Sequence, residues 1–312
     1  MKLLLHERRD ASDGVVSLTL RHPDGEELPP WTPGAHVDLV LDDGLVRQYS
    51  LSSDPRDRRE WRLGILREQA GRGGSEYACT KLGAGDTVEV SGPRNHFDLV
   101  PAEDYLFVAG GIGITPILAM IAHAEAVGAN WTLLYGGRTR AAMAFRDELA
   151  AHGDRVTLAP QDEVGLLPLA DLLAAPRPGT LVYACGPEPM LAALEREVGH
   201  WPADSLHVER FAPKAIETDG PDAAFEVEFT HSGVTALVPP GRSILDVAGD
   251  AGVPAPFSCT EGTCGTCETT ILEGRAEHRD SVLEDHEREE NSCMMICVSR
   301  AERGCPRLRL EL

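Results

Sequence analysis

Cys259, Cys264 and Cys267 are spaced C-x4-C-x2-C, and Cys297 follows after 29 intervening residues. No other feature of the chain limits its fold as much. Four thiolates that converge on two irons must come from one tight loop and from a distant segment folded beside it, and this spacing is the plant-type arrangement of a 2Fe-2S cluster. Cys259, Cys264, Cys267 and Cys297 are therefore read as its ligands. Gly262, Thr263, Gly265 and Thr266 suit a loop whose backbone approaches sulfur closely. Short cysteine spacings also make zinc ribbons, here from Cys264, Cys267, Cys293 and Cys297. That reading leaves Cys259 without work and does not explain the strand, strand and helix pattern ahead of the loop. Cys293 competes with Cys297 as fourth ligand but follows Cys267 after only 25 residues. Cys305 reads as an ordinary thiol.

Upstream, the rhythm changes twice. Short alternating runs at 15–20, 36–41, 46–51, 61–67 and 87–91 predict a small antiparallel barrel or sandwich, with one helix over 75–82. From Tyr105 strands alternate with helices, at 105–109, 116–127, 131–135, 144–151, 155–159, 169–174, 180–184, 188–198 and 206–209, the pattern of a doubly wound parallel sheet. Residues 212–223 lose periodicity and read as a linker. Strands at 225–230 and 235–238 and a helix from Ser243 lead into the cysteine loop.

Charge excludes one class of partner. Lys plus Arg number 29 against 50 Asp plus Glu, a net −21 that would repel a phosphate backbone, so no nucleic acid is expected. The three leucines from Leu3 are too few for a signal-peptide core, which predicts a cytoplasmic protein. Residues 105–124 lack Asp, Glu, Lys and Arg, but Gly110-Gly-Ile-Gly113 and Thr115-Pro116 make them strand, turn and buried helix, and no membrane span is expected.

Gly110, Gly111 and Gly113 lie directly after an apolar strand and before a helix opened by Thr115 and Pro116, where backbone N–H groups can hold a pyrophosphate. Alone, a plain tight turn is an equal reading, since the spacing is not G-x-G-x-x-G. Cys185, Gly186 and Pro187 again follow a strand and open a helix, presenting a second turn at the same sheet edge; the bland reading of Cys185 is a small buried residue. In the first domain Arg47, Gln48, Tyr49 and Ser50 combine a cation, a ring and a hydroxyl at a strand end. Arg72, Gly73, Gly74 and Ser75 add a second cation and a helix start. Each piece has a structural reading as surface charge, barrel core or turn; their co-occurrence ahead of a nucleotide fold favours a site.

With these motifs in this order, the chain resembles the phthalate dioxygenase reductase family, iron-sulfur flavoproteins related to ferredoxin reductases, over nearly its whole length. Arg47-Gln-Tyr49-Ser50-Leu51, Gly71-Arg-Gly-Gly74-Ser75, Gly110 to Pro116, Cys185-Gly-Pro187, Glu209-Arg-Phe211, the cysteine loop and Cys297-Val-Ser-Arg300 carry the resemblance. It implies a multidomain chain: an FMN-binding antiparallel β-barrel at 1–100, an NAD-binding α/β doubly wound domain at 101–212, a linker at 213–223 and an α+β plant-type ferredoxin (β-grasp) domain at 224–312.

The resemblance also implies roles. Arg47 and Arg72 to Ser75 would hold the FMN phosphate, Tyr49 would pack on the isoalloxazine, and Ser50 would hydrogen-bond near its reactive nitrogen, with Gln48 beside them. Gly64, Ile65 and Leu66 would meet the flavin through backbone. Gly110, Gly111, Gly113, Thr115 and Pro116 would take the NADH pyrophosphate, Cys185, Gly186 and Pro187 would lie near the nicotinamide, and Phe211 near the flavin. Ser50, Thr115 and Cys185 are the catalytic expectation. Arg138 and Arg140 leave NADPH open, since arginines there can receive a 2′-phosphate. FMN over FAD rests on domain order and on the terminal-phosphate reading of 72–75.

The implied activity is an NADH-dependent reductase component passing electrons through FMN and the 2Fe-2S cluster to a Rieske-type dioxygenase or demethylating oxygenase; apart from the resemblance, a monomer is expected. The acidic run at 277–290, with Glu284, Asp285, Glu287, Glu289 and Glu290, suits docking on a basic patch, or is a solvated helix face. A stand-alone NAD(P)H diaphorase or flavin reductase, and a non-catalytic zinc-binding or redox-sensing module, are the alternatives.

Overall fold

The computed structural model describes residues 1–41, 45–68, 71, 73–214 and 220–312. Arg72 lies outside the described residues. The chain divides into two compact units, Met1–Glu209 and Arg210–Leu312.

The first unit opens with a six-stranded antiparallel sheet: β1 Lys2–Ser12, β2 Val15–Arg21, β3 His36–Val40, β4 Val46–Ser50, β5 Glu60–Leu66 and β6 Thr87–Arg94, in the order β4-β3-β6-β1-β2-β5. Leu51, just past β4, bridges to Leu63 of β5, so the two outer strands meet and the sheet curls into a barrel. Leu3, Leu5, Leu18, Leu20, Leu39, Trp61 and Leu63 fill it with no exposure. The central strand β1 is absent from the sequence expectation, because its charged stretch Glu7-Arg8-Arg9-Asp10 breaks the apolar alternation begun by Leu3 and Leu5. The Asp13-Gly14 hairpin turn, with Gly14 at φ 76°, joins it to β2.

A parallel sheet follows: β7 Asp104–Gly110, β8 Asn130–Gly137, β9 Val156–Pro160, β10 Thr180–Cys185 and β11 Leu206–Glu209, ordered β11-β10-β7-β8-β9. From β7 the chain winds outward to β9, then returns to β10 on the other side of β7. The carboxyl ends of β7 and β10 therefore flank the switch point where such sheets bind ligands. Helices Ile114–Val127 and Glu188–Glu197 start from those two ends. The helix expected over 144–151 is only Arg146–Leu149, followed by tight turns that run through Gly153, which has non-helical dihedrals.

The second unit is a mixed sheet with strands in the order Val234–Val238, Phe225–Phe229, Arg307–Leu310, Glu268–Glu273 and Cys293–Met295. Phe225–Phe229 runs parallel to Arg307–Leu310. Helix Ile244–Asp250, capped by the Ser243 hydroxyl accepting from the Asp246 N–H, buries Ile244, Val247 and Ala248 in the same core as Phe225 and Phe229. The strands after the cysteine loop are not anticipated by the sequence reading. In the acidic run only Asp285–Glu290 is helical; Asp280 is fully buried, accepting from the Val282 and Leu283 N–H groups. Arg300 is likewise structural: it is 4% exposed, lies over the Phe225 ring and donates to the carbonyls of Ala223 and Pro239.

Candidate functional site

Two glycine turns interlock at the switch point. A Cβ on Gly110 would lie 2.6 Å from Pro187 Cδ, one on Gly113 2.2 Å from the Cys185 carbonyl oxygen, and one on Gly186 3.0 Å from Gly110 Cα. The first two are shorter than real Cβ contacts and the third is tighter than nearly all of them, so glycine lets the ends of β7 and β10 close on each other. Gly111 takes φ 56°, and its carbonyl accepts from the Tyr135 hydroxyl at 3.1 Å. Thr115, 1% exposed, donates through Oγ1 to the Ile112 carbonyl at 3.0 Å, and Pro116 is buried behind it.

The barrel meets this edge through β5. A Cβ on Gly64 would stand 2.6 Å from Thr115 Cγ2 and 3.1 Å from Phe145 Cε2. The strand that the resemblance assigned to the flavin edge thus lies directly against the turn assigned to NADH. Ile65 is wholly buried in the barrel core, its carbonyl accepting from the Cys79 thiol at 3.8 Å, and Leu66 packs toward the parallel sheet.

Across the barrel end, Arg47 lies over the buried Gly74, whose Cβ would come within 2.5 Å of Arg47 Cγ. Gly73 is left-handed at φ 84°, and Ser75 Oγ accepts from the Glu68 N–H at 3.0 Å. Gln48 is turned to Asp38, donating at 2.9 Å. The Tyr49 and Ser50 hydroxyl oxygens are buried and, among the described residues, have no hydrogen-bond partner. A buried hydroxyl without a partner carries a penalty of about 1–3 kcal/mol. Two of them at one strand end suit a polar heterocycle that would satisfy them, and the barrel fits a flavin on that ground.

Parallel pairing of β10 with β11 sets Cys185 beside Glu209, and the thiol donates to Glu209 Oε2 at 3.9 Å. Burial pushes the Cys185 thiol well up, and pushes the Glu209 carboxyl up to about 8. The sequence reading used Glu209 only as part of a domain-end motif; no local signal places it at Cys185, because the pairing joins strands 24 positions apart.

Arg138 and Arg140 follow the carboxyl end of β8, which pairs in parallel with β7. Arg140 is held by Glu163 through a two-pronged ion pair at 2.6 and 2.9 Å. Arg138 is exposed, its carbonyl accepting from the Asp162 N–H. Phe211, 46% exposed, belongs to the second unit.

In that unit Cys259, Cys264, Cys267 and Cys297 are buried to within 8%. Cys259 contacts the Cys264 and Cys297 thiols, and Cys297 also contacts Cys267. Those thiols, with the N–H groups of Glu261 at 3.3 Å and Thr263 at 3.5 Å, drive the Cys259 pKa far down. Gly262 at φ 72° and Gly265 at φ 69° turn the loop back on itself. Among the described residues no group of His, Cys, Asp or Glu is arranged around one ion. Four soft sulfur donors in one run of contacts, with backbone N–H groups directed at Cys259 and Cys264, suit a two-iron cluster better than a single centre. Cys293 stands apart, its thiol pushed up to about 11 by burial, and Cys305 donates to the Arg307 carbonyl.

A flavin-type barrel against the switch point of a nucleotide sheet, followed by a four-thiol loop on a mixed sheet, defines the class: an iron-sulfur flavoprotein oxidoreductase. Residues 107–196 match the family of oxidoreductase NAD-binding domains and residues 227–302 that of 2Fe-2S iron-sulfur cluster binding domains. The phenoxybenzoate dioxygenase subunit beta of Ectopseudomonas oleovorans is 43% identical over 96% of this chain and 94% of its own. A solved phthalate dioxygenase reductase aligns at TM-score 0.73 and 35% identity, covering 100% of this chain and 98% of that one. An intact type IV self-sufficient cytochrome P450 monooxygenase aligns at TM-score 0.92 and 41% identity; this chain spans only 41% of its length. The chain belongs to the phthalate dioxygenase reductase family, and its cofactors are FMN, NADH and a 2Fe-2S cluster. Among the described residues no helix is long and apolar enough to cross a membrane.

Proposed function

We propose that this chain is the reductase component of an oxygenase system, taking two electrons as hydride from NADH and releasing them one at a time to a separate terminal oxygenase. The observation that carries this is the contact of Gly64 with Thr115, which leaves no room for a side chain between the barrel edge and the nucleotide turn. When bound, the flavin accepts the hydride and the two-iron centre hands on single electrons.

The protein binds, orients and seals. Arg47, drawn over Gly74, supplies the cation for the flavin phosphate, and the Tyr49 and Ser50 hydroxyls address the ring system. The Gly110–Thr115 turn offers backbone N–H groups and a helix start to the pyrophosphate. Cys185 and Glu209 wall the nicotinamide side; Cys185, held as a neutral thiol by burial, presents a small uncharged group there. Cys259, Cys264, Cys267 and Cys297 are the iron ligands. With Arg140 engaged by Glu163 and Asp162 close by, the ribose end favours a free 2′-hydroxyl over a phosphate, in keeping with NADH. The net charge of −21 suits a basic docking face on the acceptor.

The test is anaerobic mixing of the holoprotein with NADH, followed by a one-electron acceptor. Flavin absorbance should bleach first, iron-sulfur absorbance next, and a Rieske oxygenase should then be reduced; no bleaching would end the reading. A haem monooxygenase is a second acceptor class, favoured by the similarity to part of the self-sufficient cytochrome P450 monooxygenase, and faster transfer to such a haem would select it.

A further inference from the structure

The segment after β8 turns back over the barrel. The Asp13 N–H donates to the Ala141 carbonyl and Ser12 Oγ to the Ala142 carbonyl, both at 3.1 Å. A few residues on, Arg62 of β5 reaches across from the barrel. Its Nη1 and Nη2 donate to the two oxygens of Glu148 at 2.7 and 3.0 Å, its Nη2 also to the Ser52 carbonyl at 2.5 Å, and its guanidinium carbon lies 4.9 Å over the Phe145 ring. The side chain is only 15% exposed, and a planar bidentate fork on a carboxylate restricts both partners. Phe145 sits at φ 59°, a left-handed conformation that a bulky residue keeps only when its surroundings hold it there.

Arg62 and Gly64 are two residues apart on one strand and share a face. Phe145 therefore lies under the Arg62 guanidinium while its ring edge, with the Thr115 methyl, closes on Gly64. Gripping Phe145 fixes the gap between β5 and the Thr115 turn. We infer that the Arg62–Glu148 fork, acting through Phe145, is a positioning device for hydride transfer: it sets the distance between the barrel edge and the nicotinamide side without touching either cofactor. This rests on the reading that hydride crosses at that contact, and it adds the residues that hold the crossing in register.

The test uses the full holoprotein with Arg62→Met, Glu148→Gln and the double variant. Anaerobic stopped-flow at varied NADH separates the dissociation constant from the limiting rate of flavin bleaching. The expected result is a limiting rate lowered about tenfold in each single variant, in line with the steep cost of ångström-scale misplacement. NADH affinity is kept, and the double variant is no slower than either single, as for two halves of one device. Hydrogen exchange on the full chain without coenzyme supplies a readout apart from turnover: Glu148→Gln should speed exchange at Phe145–Leu149 and at the Thr115 turn while leaving the barrel core unchanged. Should Arg62→Met lose flavin, Glu148→Gln alone decides. Limiting rates equal to the parent's, or additive losses in the double variant, would overturn the inference. A parent whose flavin NADH fails to bleach would instead sink the functional reading beneath it.

Discussion

Replacing Gly64 by Ala tests the meeting of barrel and nucleotide turn most directly. The new methyl would stand 2.6 Å from Thr115 Cγ2, about 0.8 Å inside the 3.4 Å at which ordinary contact begins, and 3.1 Å from Phe145 Cε2. Thr115 cannot simply turn away: its hydroxyl is tied to the Ile112 carbonyl, it is 1% exposed, and it opens a helix whose next residues are buried. Phe145 is pinned beneath Arg62. Relief has to come from moving β5 away from the turn by most of an ångström. Overpacking of this kind costs about 1–3 kcal/mol, a fall of a few degrees in thermal midpoint. Misplacement of reacting groups on the order of 1 Å lowers a rate by up to about 100-fold. Gly64→Ala should therefore slow flavin bleaching by saturating NADH roughly 10- to 100-fold in anaerobic stopped-flow, while dithionite reduces the same flavin as in the parent. A variant with full flavin content and a bleaching rate within about threefold of the parent would refute the claim that this contact sets the hydride path.

Three further outcomes are expected. Cys264→Ser should lose iron and sulfide and most cytochrome c reduction while NADH still bleaches the flavin at the parent rate, because the thiol loop lies in a separate compact unit; loss of both activities would mean the units do not work independently. Glu209, with its folded pKa raised to about 8, binds a proton that the unfolded chain releases near 4.5, so stability falls as pH rises from 4.5 through 8 and levels off above. Urea midpoints of Glu209→Gln should lack that decline, and parallel pH curves for the two proteins would remove Glu209 from the account. Glu163→Gln should free Arg140 for a 2′-phosphate and raise the NADPH-to-NADH ratio of kcat/KM about tenfold, the worth of one charge-assisted hydrogen bond, an effect that adding Arg140→Ala should cancel.

What could be read from the sequence and what could not divide along one physical line. The cluster ligands were legible because three of them share nine residues of chain, and the geometry of two irons dictates the spacing. The strands at 15–20, 46–51 and 61–67 were legible because alternation is local. Strand β1 was not, since Glu7, Arg8 and Arg9 interrupt the alternation although Leu3 and Leu5 are wholly buried. Arg140 reads locally as a phosphate ligand, yet a carboxylate from beyond the next strand is already bound to it. Gly64 reads as an unremarkable strand glycine, and only Thr115, 51 positions away, makes its missing side chain a requirement. Glu209 has an ordinary acid's sequence context, and only the register of two parallel strands sets it against a buried thiol. Local spacing thus reports which groups can bind a cofactor. Whether a cation is free, a carboxyl protonated or a gap tight is decided by partners that tertiary pairing supplies. In this chain one such gap lies where Gly64, Thr115, Phe145 and Arg62 meet, so substitutions there should alter the hydride rate while the recognisable binding motifs stay intact.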